Sequence, residues 1–281
     1  MSIVEKALIV SLRISQWTGR KLDKNATDTV ESQYKTEKRV GNYTKKLLPG
    51  AAELEQIQRL SSAIRQFFYE QTLPWCTDGS RILAAQNYMD FTAKYRKHKQ
   101  EFDDAVKQFL QSYELLKSQS RMKLGHLFHE DDYPTQASLE IAFSCEVTFM
   151  PVPDVGDFRV EILDSEKETF LKQMRDVETQ AMRECWQRLY DVVYKAASKL
   201  RDPNAIFRDS LIENIQETCA LLPKLNITDS PELETMRVNV EKLVVGMQPD
   251  VVRHSDYARQ DAMDKLNDIT LRMSHIMGGL K

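Results

Sequence analysis

The chain has 281 residues, with 39 Lys and Arg against 42 Asp and Glu and a formal net charge of −3. Hydrophobic residues make up 42% and charged residues 29%, an ordinary soluble globular composition with enough apolar material for a sizeable core. No apolar run approaches the ~20 residues that cross a bilayer, which excludes a helical membrane span.

Glycine and proline number only 9 each, and scarce turn formers favour long helices with few connections. The opening residues MSIVEKALIVSLRISQW are interrupted by Lys6 and Arg13 and lack a small-residue cleavage site, so no secretory signal is expected and the location is cytoplasmic. Cys76, Cys145, Cys185 and Cys219 are widely spaced and form no CxxC pair, the pattern of reduced, mostly buried thiols. The N-x-T matches at Asn25, Asn42 and Asn226 then carry no glycan.

Charge is uneven. Residues 1–125 hold 21 Lys and Arg against 14 Asp and Glu, whereas residues 126–281 hold 18 against 28. This asymmetry marks either a polyanion-binding half or two halves that attract each other, within the chain or between subunits. We favour mutual attraction. It also suggests a division into a basic region, 1–165, and an acidic helical region, 166–281, that packs on it as one compact unit.

In chain order, residues 7–15 alternate. Leu8, Val10, Leu12 and Ile14 face one way and Ile9, Ser11, Arg13 and Ser15 the other, which predicts a strand. Residues 17–50 are polar and without clear period, a long arm with a short helical piece, closed by Pro49-Gly50. A helix runs from about Ala51 to Thr72, with Leu54, Ile57, Leu60, Ile64, Phe67 and Phe68 on one face. Leu73-Pro74-Trp75 breaks it, and Asp78-Gly79-Ser80 offers a turn and a cap.

A long helix is predicted from about Arg81 to Leu124. Tyr88, Tyr95, Phe102, Phe109 and Leu116 recur every seventh position, with Phe91, His98, Ala105 and Ser112 between them. That is a packing seam against another helix. From 139 to 149 the chain alternates strictly, Leu139, Ile141, Phe143, Cys145, Val147 and Phe149 on one side. A turn at 151–157 and the alternating Phe158, Val160 and Ile162 complete a hairpin. A lone hairpin is marginal in water, so the N-terminal strand is its expected third partner. Further helices follow at about 165–200, 203–223, 231–245 and 255–277, with no internal repeat. The reading is an α+β chain, mainly α: long antiparallel helices with a small antiparallel sheet of N-terminal strand and central hairpin.

Chemistry is sparse. No GxxxxGK[ST], GxGxxG or GxSxG occurs, which excludes the common nucleotide-binding loops and the serine-hydrolase elbow, and no cofactor is expected. His126 and His129 share a helical spacing beside Glu130, Asp131 and Asp132, a metal candidate that still needs ligands from elsewhere. The stretches KTEKRVGNYTKK (35–46) and KYRKHK (94–99) mix cations with tyrosine as a polyanion groove does. Their candidate residues are Lys35, Lys38, Arg39, Tyr43, Lys45, Lys46, Lys94, Tyr95, Arg96, Lys97 and Lys99. Glu140, Glu146, Arg159 and Glu161 interrupt the hairpin, which speaks against a membrane-inserting tongue.

Several short stretches together carry a resemblance: ISQWTGRK at 14–21, GNYTKK at 41–46, TLPW at 72–75, DGSR at 78–81 and Tyr133-Pro134. Their order resembles a loosely defined family of helical proteins of unknown function from bacteriophages and bacteria. Some of these are encoded near MoxR-type AAA+ ATPases and von Willebrand A-domain proteins. The likeness spans roughly residues 8–165. It implies a phage or bacterial cytoplasmic setting and work inside an assembly, and it implies no catalytic residues. The leading expectation is a non-enzymatic protein acting by macromolecular binding and self-assembly, a homo-oligomer or assembly component. Alternatives are sequence-independent binding of single-stranded nucleic acid by the basic half and a metal-dependent enzyme using His126 and His129.

Overall fold

The structure, a computed structural model, describes residues 3–38, 40–75, 79–154, 156, 163–202 and 205–279. It is 71% helical and 11% strand, an α+β chain that is mainly α. The elements in order are α1 (Ile3–Lys6), β1 (Ala7–Ser15), β2 (Arg20–Leu22), α2 (Lys24–Tyr34), β3 (Thr44–Lys46), α3 (Ala52–Glu70), β4 (Leu73–Pro74) and β5 (Arg81–Ala84). Then come α4 (Tyr88–Leu124), α5 (Gln136–Ala142), β6 (Ser144–Pro151), α6 (Asp164–Arg201), α7 (Asp209–Leu225), α8 (Pro231–Val245), α9 (Pro249–His254) and α10 (Asp256–Gly279).

The chain divides into two compact units. Unit one comprises Met1–Ser11, Tyr69–Phe91 and Thr148–Lys281; unit two comprises Leu12–Phe68 and Thr92–Val147. This is a different division from a cut at residue 165, which falls inside unit one where α6 begins.

A four-stranded sheet has the order β4-β5-β1-β6. β1 and β5 are antiparallel, with Ala7 opposite Ala84 and Val10 opposite Arg81. The N-terminal strand does neighbour β6, as expected, and it also pairs with β5 on its other side. Two details differ from the sequence reading. Residues 81–84 are a strand, not the start of the long helix, which begins at Tyr88 after a 3-10 turn. Residues 139–142 are the end of α5, and the strand starts only at Ser144. The local cause is Thr135, whose Oγ1 accepts from the Ser138 amide and caps a short helix. Ile141, inward in the alternating scheme, is 84% exposed. The return strand at 158–162 lies outside the described residues, as do Arg39, Cys76, Asp78 and Pro203. Ala205–Arg208 are not helical, so α7 starts later than Pro203 suggests.

Within unit one, α6 packs along α10 and α7, and α7 along α8. The core gathers Trp186, Leu189, Val193 and Leu200 of α6 with Ile215 and Leu222 of α7 and Leu266 and Met273 of α10. α10 begins where α6 ends and runs back along it. In a glycine-poor chain, arginines close the helix ends. Arg259 donates to the carbonyls of Lys199 and Leu200 in the last turn of α6 and of Asp202 and Ala205 just past it. Arg188 likewise donates to the carbonyls of Tyr69 and Glu70 at the end of α3 and of Thr72 just after it, where Arg81 also binds Thr72. Each supplies donors to carbonyls that a helix leaves orphaned.

Within unit two, the core is Leu54, Ile57 and Ile64 of α3 against Phe102, Phe109, Tyr113 and Leu116 of α4, with Leu139, Phe143 and Cys145. Of the heptad positions of α4, Phe91, Phe102, Ala105, Phe109 and Leu116 are buried, Tyr95, His98 and Ser112 are half-buried, and Tyr88 is exposed. Trp17 leans on Phe109 and Tyr113.

Candidate binding surface on the 20–46 arm

The arm, part of unit two, starts after Gly19 and ends before Leu47, where the Leu47 amide donates to the Gly19 carbonyl at 2.7 Å. Gly19 has φ +64°, and a Cβ there would sit 2.6 Å from Leu54 Cδ2, so the entry position requires glycine. Two short strands then pair antiparallel: Arg20 opposite Lys46, Lys21 opposite Lys45, Leu22 opposite Thr44. Period two sends alternate residues to opposite faces of this ribbon. Between the strands, Asp23 caps α2, its Oδ1 accepting from the Ala26 amide at 3.0 Å. Lys35 ends α2 in the left-handed region at φ 52°.

On the inward face lies a buried ion cluster. Lys45 is 4% exposed. Its ammonium lies 2.7 Å from each of Asp23 Oδ2, Asp132 Oδ2 and the Leu127 carbonyl. These match the three donors of an ammonium. Lys21 meets the other oxygen of Asp132 at 2.9 Å. The hydrogen bond from Lys45, helped by the Ala26 amide, holds the Asp23 carboxyl below its usual range. Burial pushes Asp132 upward, but the bonds from Lys45 and Lys21 outweigh it and the net shift is down. Burial alone would lower Lys45; its two carboxylates raise it instead.

Around this cluster, the Tyr133 hydroxyl donates to the Leu47 carbonyl at 2.7 Å, and the Tyr113 hydroxyl to the Pro134 carbonyl at 2.8 Å. Trp17, Gly19, Lys45, Tyr133 and Pro134 therefore meet at the base of the arm. Thr72 and Arg81 meet in unit one.

The outward face is the reverse case. Arg20, Leu22, Thr44 and Lys46 are all exposed. Among the described residues, neither Arg20 nor Lys46 has a carboxylate partner. Two cations directly opposite each other on one ribbon face repel by roughly 0.2–1 kcal/mol. α2 buries no residue, and it exposes Val30 and Tyr34, the latter by 72%. Leu22, Val40 and Tyr43 add exposed apolar surface on the same arm. The arm's exposed carboxylates Asp28 and Glu37 lie on α2 and just after it, not on the ribbon.

Of the residues predicted to bind polyanions, Lys35, Lys38, Tyr43 and Lys46 are exposed on the arm, and Arg39 lies outside the described residues. Lys45 is corrected: it is buried and neutralised. Lys94, Arg96 and Lys97 are exposed on α4, a separate element. Tyr95 and Lys99 beside them are engaged internally. The Tyr95 hydroxyl donates to the Cys145 carbonyl at 3.0 Å, and burial pushes its phenol well above the ordinary range. Lys99 pairs with Asp103 at 2.6 Å. Sequence reading missed Arg20, whose signal lies in the register that sets it opposite Lys46.

The 126–132 segment serves the fold. Asp132 anchors the arm, and Glu130 binds Lys117 and Arg121, which hold its carboxyl below the usual range. His126 and His129 are exposed, and among the described residues no group of three or more His, Cys, Asp or Glu is placed to hold a metal ion. Nor is any described helix long and apolar enough to cross a membrane. No family model, no curated protein and no solved structure matches this chain.

Proposed function

We propose that this chain acts by binding other macromolecules rather than by catalysis, with the 20–46 arm as the docking element and self-association as its use. The observation that carries this is the contrast between the two faces of the arm's ribbon. Inside, every cation has a carboxylate; outside, Arg20 and Lys46 stand opposed without one among the described residues, beside exposed Leu22. That arrangement costs the isolated chain stability and fits an anionic, partly apolar partner. The setting we propose is a cytoplasm, the host's if the chain is phage-encoded, and the free, buried Cys145, Cys185 and Cys219 support a reducing compartment. Work inside a phage or bacterial assembly fits the same reading.

Light scattering across protein concentration, at low and high salt, tests it. The wild-type mass should rise with concentration and fall with salt, and Arg20→Glu/Lys46→Glu should remain monomeric. A wild-type chain that stays monomeric and retains no polyanion would overturn the proposal. A second reading, sequence-independent binding of single-stranded nucleic acid, is favoured by exposed Lys35, Lys38, Tyr43 and Lys46 on the one arm. It predicts filter retention that weakens steeply with salt, a log–log slope of about −0.7 per phosphate contacted. Salt-independent or absent retention would exclude it.

A further inference from the structure

Resting on the arm reading, we infer that the partner is a second copy of this chain, met on an acidic ridge of α7. The ridge is Asp209, Glu213 and Glu217, spaced four residues apart, so the three carboxylates stack on one helix face. Asp209 is neutralised by Arg253 at 2.7 Å. Glu213 and Glu217 are exposed and have no cationic partner among the described residues. Like charges at this spacing disfavour the helix that carries them. The ridge is thus the counterpart of the ribbon face: an exposed like-charge pair uncompensated among the described residues.

The two pairs match in size. Cross-strand neighbours such as Arg20 and Lys46 hold their Cβ atoms about 5 Å apart. Helix neighbours four apart, such as Glu213 and Glu217, hold theirs about 6 Å apart. Two cations can therefore face two carboxylates in register. Apolar surface flanks both: Leu22 beside Arg20, and Ile206, 69% exposed, ahead of the ridge. The overall charges agree, since unit two holds 19 Lys and Arg against 15 Asp and Glu, and unit one 20 against 27. A contact of arm on ridge joins unlike surfaces, so each copy keeps one donor and one acceptor. Such contacts close into a reciprocal dimer or a ring, or continue as a filament.

The test uses charge reversal and mixing. Arg20→Glu/Lys46→Glu and Glu213→Lys/Glu217→Lys should each weaken self-association at least about tenfold, because each places like charges across the contact. Mixed in equal amounts, the two variants should recover association, since a reversed arm now meets a reversed ridge. The chain carrying all four changes should associate alone. Recovery on mixing also shows that both variants are folded. If Glu213→Lys/Glu217→Lys associates as the wild type does, the ridge is not the acceptor and this inference falls while the arm reading stands. Two monomeric variants that stay monomeric when mixed overturn it equally. If the arm variant alters neither self-association nor nucleic-acid retention, the arm reading itself fails.

Discussion

Lys45→Met keeps the length of the side chain and deletes its ammonium. The change leaves Asp23, 7% exposed, and Asp132 facing each other at the base of the arm. Among the described residues Lys21 remains as the counterion of Asp132, and its side chain is 48% exposed. Removing one member of a buried ion pair costs about 3–5 kcal/mol, because the remaining charge stays desolvated. Some water reaches Asp132, so the lower end applies, about 3 kcal/mol for unit two. Lys21→Met is the control: its pair is half in solvent and should cost under about 1 kcal/mol. Urea unfolding at pH 7 should show a lower midpoint for Lys45→Met at unchanged slope. The pH dependence follows from the direction of the shifts. Both carboxyls are held below the ordinary aspartate value of about 3.9, so their contribution is complete above that pH and lost as pH falls through the lowered values. The gap between wild type and Lys45→Met should therefore be full at pH 7 and shrink below about pH 4. Equal midpoints for Lys45→Met and Lys21→Met, or a gap that stays constant down to pH 3, would refute the ion-cluster argument.

Gly19→Ala should cost about 2 kcal/mol, through the left-handed backbone and the approach to Leu54, whereas Gly41→Ala, with open space around it, should stay within about 0.5 kcal/mol; thermal melts compare them. Arg259→Met removes the donors to four carbonyls at and just beyond the end of α6 and should lower stability by about 2 kcal/mol, with faster amide exchange at the end of α6 and in 205–208. Unchanged exchange there would deny Arg259 its capping role. Burial pushes the Cys185 thiol up to about 12 and the Cys219 thiol up to about 11, and it raises Cys145 as well. At pH 8 none of the three should react with a thiol reagent until the chain unfolds, which peptide mass spectrometry reads directly.

Long, capped helices were legible because their signals are local. Ser230-Pro231 opens α8 as expected, with Ser230 Oγ accepting from the Leu233 amide. The faces of α3 and α4 were readable from spacing alone. β5 was not: Arg81–Ala84 is four residues long, and pairing with Ala7–Val10 on one side and Leu73–Pro74 on the other makes it a strand. The alternation at 139–149 extended the strand too far, because period two in Leu139, Ile141 and Phe143 competed with the Thr135 cap and lost. The site was half readable. Exposed Lys35, Lys38, Tyr43 and Lys46 follow from composition. Whether a lysine faces solvent or a buried carboxylate depends on register and on partners distant in sequence, and Asp132 is the partner that turned Lys45 from surface cation into anchor. Arg20 went unnoticed for the same reason, since its neighbour Lys46 lies beyond α2.

The central claim is that the outward face of the arm is covered when the protein does its work. Hydroxyl-radical footprinting of Tyr34 and Tyr43, at dilute concentration and under conditions where scattering shows assembly, measures this directly. The account predicts strong oxidation of both rings when dilute and clear protection on assembly, with exposed Tyr257 on α10 unchanged. Equal oxidation of Tyr34 and Tyr43 in the dilute and the assembled protein would contradict it.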